Sequence, residues 1–182
     1  GLTREKIADP RTFLEWFFVS LKHYLAAIPK YVVLLAVLAW MALETIFAFP
    51  NYLSYYNEFG GGVANGHRYI VDSNYDWGQD LRRLAAFVED NNIKKIGIDY
   101  FGGGSPEYYM GAKAVLWWSS RGAPKPASGD PEWIAVSAST LESAQARPVK
   151  NWEIRPKDSY AWLRGITPAA RAGQAIFIYH LT

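Results

Sequence analysis

The longest apolar stretch of the chain is Tyr31–Phe49, where Glu44 is the only charged residue. As a helix, this stretch would extend about 28 Å, close to the roughly 30 Å of a bilayer's hydrocarbon core. Each Val, Leu, Ile or Phe favours insertion by about 0.3–0.6 kcal/mol, which together outweighs one charge near the end of the span. A buried helix of a soluble protein is the alternative, but such helices rarely lack a polar stripe. The pattern predicts a transmembrane helix at residues 31–49.

The segment before this span is amphipathic. In a helix over residues 11–28, Arg11, Glu15 and Lys22 share one narrow stripe, and aromatic and aliphatic residues fill the rest. This pattern predicts an interfacial helix within residues 1–30. Half of a membrane hairpin, or a helix packed against other membrane helices, remains an alternative. A signal peptide is disfavoured because the apolar stretch is long, starts late and lacks a small-residue cleavage site.

Positive charges flank the predicted span unevenly. No Lys or Arg occurs between the span and Arg68, whereas five precede the span: Arg4, Lys6, Arg11, Lys22 and Lys30. The positive-inside rule therefore predicts a cytoplasmic N-terminus and an extracytoplasmic remainder. The expected location is the bacterial inner membrane, with a single pass and a periplasmic C-terminal part. Because the chain begins with Gly1 rather than Met, we expect it to be processed or part of a longer protein.

Beyond an aromatic and glycine-rich linker at residues 50–67, strand-like and helix-like patterns alternate through residues 68–182. Strands are predicted at 68–72, 94–101, 132–141 and 174–181. A helix is predicted at 76–91 with Asp76 as its cap, a short helix after Ser105, and a helical turn at 160–164. Trp77 is expected to pack its turn onto the sheet. The alternation predicts an α/β domain with a small, mostly parallel sheet and flanking helices.

Composition excludes several classes of function. The net charge is only +2, which argues against nucleic-acid binding. Because the chain contains no Cys, disulfides, zinc–thiolate sites, iron–sulfur clusters and cysteine nucleophiles are excluded. Aromatic residues make up 16% of the chain, a surplus typical of membrane boundaries and interfaces. Contact with the membrane or a partner is predicted for Trp16, Trp40, Tyr52, Tyr55, Tyr56, Trp117 and Trp118.

The block DSNYDWGQD at residues 72–80 carries a family resemblance. With matching strings at 51–62, 100–109, 133–141 and 160–181, it resembles the C-terminal region of bacterial membrane glycosyltransferases related to protein O-mannosyltransferases, which use polyprenyl-phosphate sugars. The residues of the block that we expect to define the fold are Asp72, Asp76, Trp77, Gln79 and Asp80. The family's acidic catalytic residues lie in an early extracytoplasmic loop that this chain lacks. The resemblance therefore supplies no catalytic residue.

Other chemistry is weakly supported. Asp72, Asn74 and Asp76 have the spacing that opens a calcium loop, but Trp77 and Arg83 occupy positions where that loop needs Gly and Glu. Turn and cap roles are therefore favoured over metal binding. The run Gly102–Gly104 fits no phosphate-binding motif, and the histidines have no partner at metal-ligand spacing. No catalytic residue and no cofactor are predicted.

Two functions remain open. In the first, the chain is a noncatalytic, membrane-anchored accessory subunit of a larger membrane complex, for example a respiratory or photosynthetic one. In the second, it is part of an active glycosyltransferase whose catalytic membrane core is missing, and a polyprenyl-phosphate sugar is a partner only in this case. The expected partners in both are membrane lipids and other integral membrane proteins.

Overall fold

The computed structural model describes residues 10–71, 75–118, 128–145 and 160–181. The chain divides into two compact units, Gly1–Phe47 and Ala48–Thr182. The first consists of most of one long helix, and the second contains a sheet with several short helices. The two units are described separately below.

Helix α1 extends from Pro10 to Ala48 without interruption. The backbone therefore has no break near residue 30, where the interfacial helix was predicted to give way to the transmembrane helix. Pro29 lies at that point and removes one backbone hydrogen bond, but the helix continues through it. Within the described residues, this is the one helix long and apolar enough to cross a membrane. Its large side chains are exposed along its length, for example Val19, Leu35 and Phe47.

The second unit contains a five-stranded sheet with strand order β2-β1-β3-β5-β4. The strands are β1 (Ile96–Asp99), β2 (Ala114–Leu116), β3 (Trp133–Ser137), β4 (Ala170–Ala172) and β5 (Ile176–His180). β1 pairs in parallel with β2 and β3, whereas β5 pairs antiparallel with β3 and β4. The sheet is thus mixed, and the prediction of a mostly parallel sheet is wrong. A turn of three residues, 173–175, joins β4 to β5, and so short a connection can join only antiparallel strands.

The helices of this unit are short. They are α2 (Gly62–Asn65), α3 (Leu81–Asp90), α4 (Pro106–Met110) and α5 (Ala138–Gln145). The short helix after Ser105 is confirmed, because Ser105 Oγ accepts a hydrogen bond from Tyr108 N at 3.2 Å. The helical turn predicted near 160–164 is a 3₁₀ turn at Ala161–Leu163.

Two predicted strands differ from the structure. Residues 66–68 form a 3₁₀ turn where a strand was predicted to begin, and the end of that strand, residue 72, lies outside the described residues. The strand predicted at 132–141 ends at Ser137, and its last residues form α5. Ala138 N donates to Ala175 O at 2.7 Å, which is the last sheet-like contact before the helix.

Buried side chains cover both faces of the sheet. Ile134 and Val136 of β3 belong to one hydrophobic cluster, whereas Ala135 between them belongs to the other. This alternation is what a strand covered on both faces requires. Leu84 and Val88 of α3 pack in the second cluster. The core therefore lies in the sheet and in the elements that flank it.

Candidate functional site

The described part of the DSNYDWGQD block, residues 75–80, forms an irregular turn before α3. Tyr75, Asp76 and Asp80 are completely buried. Trp77 is 60% exposed, so the prediction that it packs the turn onto the sheet is wrong. Asp72 and Asn74 lie outside the described residues. Residues 75–80 thus form a largely internal turn with the Trp77 side chain at its surface.

Asp80 connects this turn to the β4–β5 hairpin. Its Oδ2 atom accepts hydrogen bonds from Gln174 N and Ala175 N, both at 2.9 Å, and its Oδ1 atom pairs with Arg83. Gly173 lies directly beside the carboxylate with a φ of 58°, and a Cβ atom there would collide with it. A buried carboxylate needs such partners, because an unpaired buried charge is strongly unfavourable. Both carboxylate oxygens of Asp80 are therefore bonded within the protein, where they hold the β4–β5 hairpin in place.

Asp76 connects the same turn to the start of α5. Its Oδ1 atom accepts from Gly78 N at 2.9 Å, and its Oδ2 atom is 3.5 Å from Ser139 N. Burial raises the pKa of Asp76, and these hydrogen bonds act in the opposite direction. The predicted cap of a helix over 76–91 is wrong, because α3 begins at Leu81 and Asp76 faces a different helix. The Asp76 carboxylate is therefore oriented toward the start of α5 and not toward the start of α3.

Tyr75 and Gln79 join the block to the linker. The Tyr75 hydroxyl is 3.0 Å from Val63 O and 3.2 Å from Gln174 O, and burial raises its pKa to about 12. Gln79 Nε2 donates to Ser54 Oγ and to Tyr75 O, both at 3.1 Å. The block therefore fastens the linker, the hairpin and α5 to one another. Of the residues expected to define the fold, Asp76, Gln79 and Asp80 make these contacts, whereas Trp77 is exposed and Asp72 lies outside the described residues.

A second polar group lies at the carboxyl ends of β1 and β3. Asp99, the last residue of β1, accepts a 2.6 Å hydrogen bond from the Tyr160 hydroxyl. Burial raises the pKa of Asp99, whereas the bond from Tyr160 lowers it. Ligands of open α/β sheets bind at this edge, so the position of Asp99 at the carboxyl end of a strand is the available sequence signal. The pair itself is not predictable from the sequence, because Tyr160 is 61 positions away from Asp99 along the chain.

A third group centres on the buried His67. Its Nδ1 atom is 2.8 Å from Glu142 Oε1, and its Nε2 atom is 3.3 Å from Arg171 Nη2. A guanidinium can only donate, so Nε2 accepts and Nδ1 carries the proton that points to Glu142. A His–carboxylate pair of this kind serves as a general base only when Nε2 faces a substrate. Here Arg171 occupies that position, which favours a structural role.

The predicted contact aromatics divide into two classes. Trp117 is only 2% exposed, so its predicted contact with a membrane or partner is wrong. Its indole packs over Gly97 of β1, where a Cβ atom would approach within 2.8 Å of the ring. Tyr56 packs against the first core cluster. The side chains of the other predicted contact residues are exposed: Trp16, Trp40, Tyr52, Tyr55 and Trp118.

Among the residues whose structure is described, no cluster of three or more His, Asp or Glu side chains could hold a metal ion. Gly102 lies against Gly78, close to the Tyr100 hydroxyl, so the glycine run allows two turns to approach. Glu107 Oε2 accepts from Ser105 Oγ at 2.9 Å, which places an anion beside that run. This arrangement favours a turn over a phosphate-binding loop.

The chain was compared with family models, curated proteins and solved structures, and none of them matches.

Proposed function

We propose that this chain is a membrane-anchored, noncatalytic extracytoplasmic domain that acts as an accessory subunit of a larger membrane complex. The observation that carries the proposal is the exposed apolar surface of α1. Trp16, Leu35 and Phe47, near its start, middle and end, are 48%, 65% and 79% exposed. Such a surface is unfavourable in water, so it needs lipid or other apolar helices around it.

The α/β domain supports the noncatalytic part of the proposal. The carboxylates of Asp76 and Asp80 accept hydrogen bonds from backbone N–H groups of the domain itself. The His67 ring is held on both nitrogens by protein groups. General acids, bases and nucleophiles must instead reach a substrate. The side chains of Asp76, Asp80 and His67 are thus arranged to hold the fold together.

The side of the membrane is inferred from charge. The Lys and Arg residues before the apolar stretch favour a cytoplasmic N-terminus, which leaves the domain outside. Exposed Phe49 and Tyr52 follow α1 with their ring centroids 6.1 Å apart, and aromatic residues of this kind favour the membrane–water boundary.

A second candidate function is the trailing domain of a polyprenyl-phosphate-sugar-dependent glycosyltransferase. It is favoured by the position of the residues that carry the resemblance. Tyr75, Asp76 and Asp80 are buried and bonded within the domain, as expected of a block that serves the fold rather than the reaction. In that case the accessory role is performed within one longer polypeptide.

Affinity purification from native membranes distinguishes these functions. Membranes would be solubilised in a mild nonionic detergent, and the tagged chain purified and analysed by mass spectrometry. The proposal expects other integral membrane proteins at fixed stoichiometry. A single longer polypeptide carrying this sequence would instead establish the second candidate. Recovery of the chain alone, or its release from membranes by alkaline carbonate, would contradict the proposal.

A further inference from the structure

A cleft of about 300 Å³ lies within the second unit, between the segment that follows α1 and the first turn of α3. Its apolar side is formed by Pro50, Tyr52 and Leu53, and its basic side by Arg82 and Arg83. This volume is at the lower end of the roughly 300–1,000 Å³ typical of ligand clefts. We call it the basic cleft.

The walls of the basic cleft are held in place by hydrogen bonds. Ser54 Oγ donates to Tyr75 O at 3.1 Å and accepts from Gln79 Nε2 at 3.1 Å. Arg83 Nη1 donates to Asn51 Oδ1 at 2.7 Å and pairs with Asp80. These bonds link the two sides of the cleft, so it is preformed and an occupant need not order it.

Charge selects the occupant. The buried carboxylate of Asp80 compensates the charge of Arg83. Arg82 is exposed, and no hydrogen bond or ion pair joins it to the residues described. The cleft therefore has one uncompensated positive charge beside an apolar wall. The polar atoms of Ser54 and Gln79 are already bonded to the protein, which disfavours a highly polar solute.

The short length of chain between α1 and the basic cleft limits how far the cleft can lie from the end of α1. Leu53 follows the last residue of α1, Ala48, by five residues, and a chain of five residues spans at most about 18 Å. If α1 spans the bilayer as proposed above, the apolar wall lies within reach of the headgroup region. The molecules that combine an anionic group with apolar chains at this depth are acidic lipids.

We propose that the basic cleft binds the phosphate group of an anionic phospholipid. Arg82 pairs with the phosphate, Arg83 positions the start of α3 through Asn51, and Tyr52 and Leu53 contact the carbons next to the headgroup. The inference rests on the proposed membrane anchoring.

The test uses the full chain in lipid nanodiscs that contain phosphatidylcholine and phosphatidylglycerol. Native mass spectrometry of the released complexes measures the retained phosphatidylglycerol. Arg82→Gln should lower this retention about fivefold, the factor that corresponds to about 1 kcal/mol for one basic residue at a membrane surface. Arg83→Lys keeps the charge of its site and should lower retention less.

Lys95→Gln is the matched control. Lys95 lines a larger cleft of about 530 Å³, where Lys94 and Lys95 are accompanied by Asp130 and Glu132. The variant removes the same charge as Arg82→Gln from a cleft whose charges are balanced. Its retention of phosphatidylglycerol should equal that of the unmodified chain, and unchanged near-UV circular dichroism shows that the variants are folded.

Three outcomes would overturn the inference. Equal retention of the two phospholipids by the unmodified chain removes lipid selectivity. Equal losses in Arg82→Gln and Lys95→Gln show a general charge effect. Arg82-dependent binding of inorganic phosphate without lipid enrichment identifies a soluble anion as the ligand. In each case, resistance of the chain to carbonate extraction is scored separately, so failure of the lipid site is distinguished from failure of the anchoring.

Discussion

Leu35 in α1 and Leu84 in α3 are the same residue type in the same kind of secondary structure, but they are 65% and 0% exposed. The difference extends to the regions that contain them. In α1, large apolar side chains are exposed along the helix, and the apolar residues of Tyr31–Phe49 form no stripe. In α3, only Leu81, Leu84 and Val88 are buried, and they form one face.

This contrast shows that the two regions depend on different surroundings. The α/β domain supplies its own apolar environment, because its helices and sheet bury one another's side chains. The backbone hydrogen bonds of α1 are made within the helix, whereas its apolar side chains need lipid or other helices around them. Substitutions in the two regions should therefore have different consequences, and the following predictions test this, beginning with the largest effect.

Replacing Asp80 with alanine should have the largest effect on the domain. Gln174 N and Ala175 N would lose their acceptor, and Arg83 would lose its carboxylate. We expect the free energy of unfolding to fall by about 3–5 kcal/mol, measured by urea denaturation of the full chain in micelles. Glu89→Ala is the control, because the Glu89–Lys113 pair is exposed and should contribute at most about 1 kcal/mol. Equal losses in the free energy of unfolding for Asp80→Ala and Glu89→Ala would show that the hydrogen bonds of Asp80 do not stabilise the domain.

A pair of identical substitutions tests the comparison itself. Leu84→Ala leaves a cavity in the second core cluster and should cost about 2–5 kcal/mol. Leu35→Ala removes the same atoms from an exposed position and should change unfolding of the domain by less than about 0.5 kcal/mol. A large loss from Leu35→Ala would mean that α1 packs as part of a soluble core.

Gly173→Ala should have an intermediate effect. The left-handed conformation costs a residue with a Cβ atom about 1–2 kcal/mol, and the new atom would also collide with the Asp80 carboxylate. In an Asp80→Ala background the collision disappears, so the added cost of Gly173→Ala should be smaller there. Additive effects in this double-mutant cycle would show that the two residues do not interact.

The smallest expected effect is a change in pH dependence. Burial raises the pKa of Asp99 above its ordinary value, 3.8, so the folded state binds a proton more readily than the unfolded state. Asp99 therefore favours folding most below pH 3.8, and this contribution is lost as the pH rises through the folded pKa. As the pH is raised from roughly 4 to 7, the free energy of unfolding should therefore decrease less in Asp99→Asn than in the unmodified chain.

Tyr160→Phe should shift the same pH profile in the opposite direction. It removes the hydrogen bond that stabilises the ionised Asp99, so stability should fall more steeply with pH. Thermal unfolding across this range measures both variants. Parallel profiles for the unmodified chain, Asp99→Asn and Tyr160→Phe would contradict the assignment of Asp99 as the titrating group.

Local patterns in the sequence were sufficient for part of this structure. The apolar stretch predicts the centre of α1, and Ser105 predicts the cap of α4, because both signals involve residues close together in the chain. The centres of β1, β3 and β5 also follow from apolar runs. In contrast, β2 and β4 are three residues each, too short to show a period of two.

The polar groups were not predictable because their partners are distant in sequence. Asp80 and Gln174 are 94 positions apart, and His67 and Glu142 are 75 positions apart. Such pairs depend on the folded arrangement of elements that lie far apart in the chain. The direction of β5 likewise depends on the tight turn at Gly173, which the strand pattern does not reveal. The resemblance drew attention to the block at residues 72–80, and whether it reflects shared ancestry stays a prediction.

We propose that α1 crosses the membrane and that the α/β domain lies on the side opposite the N-terminus. Because the chain contains no Cys, single cysteines can report on each side without background. Ala112→Cys and Arg11→Cys would be treated in intact spheroplasts with a membrane-impermeant maleimide. We expect Ala112→Cys to be labelled at once, and Arg11→Cys to be labelled only after the membrane is permeabilised. Labelling in the reverse order would contradict this topology. So would labelling of both sites in intact spheroplasts, with the chain then recovered in buffer without detergent.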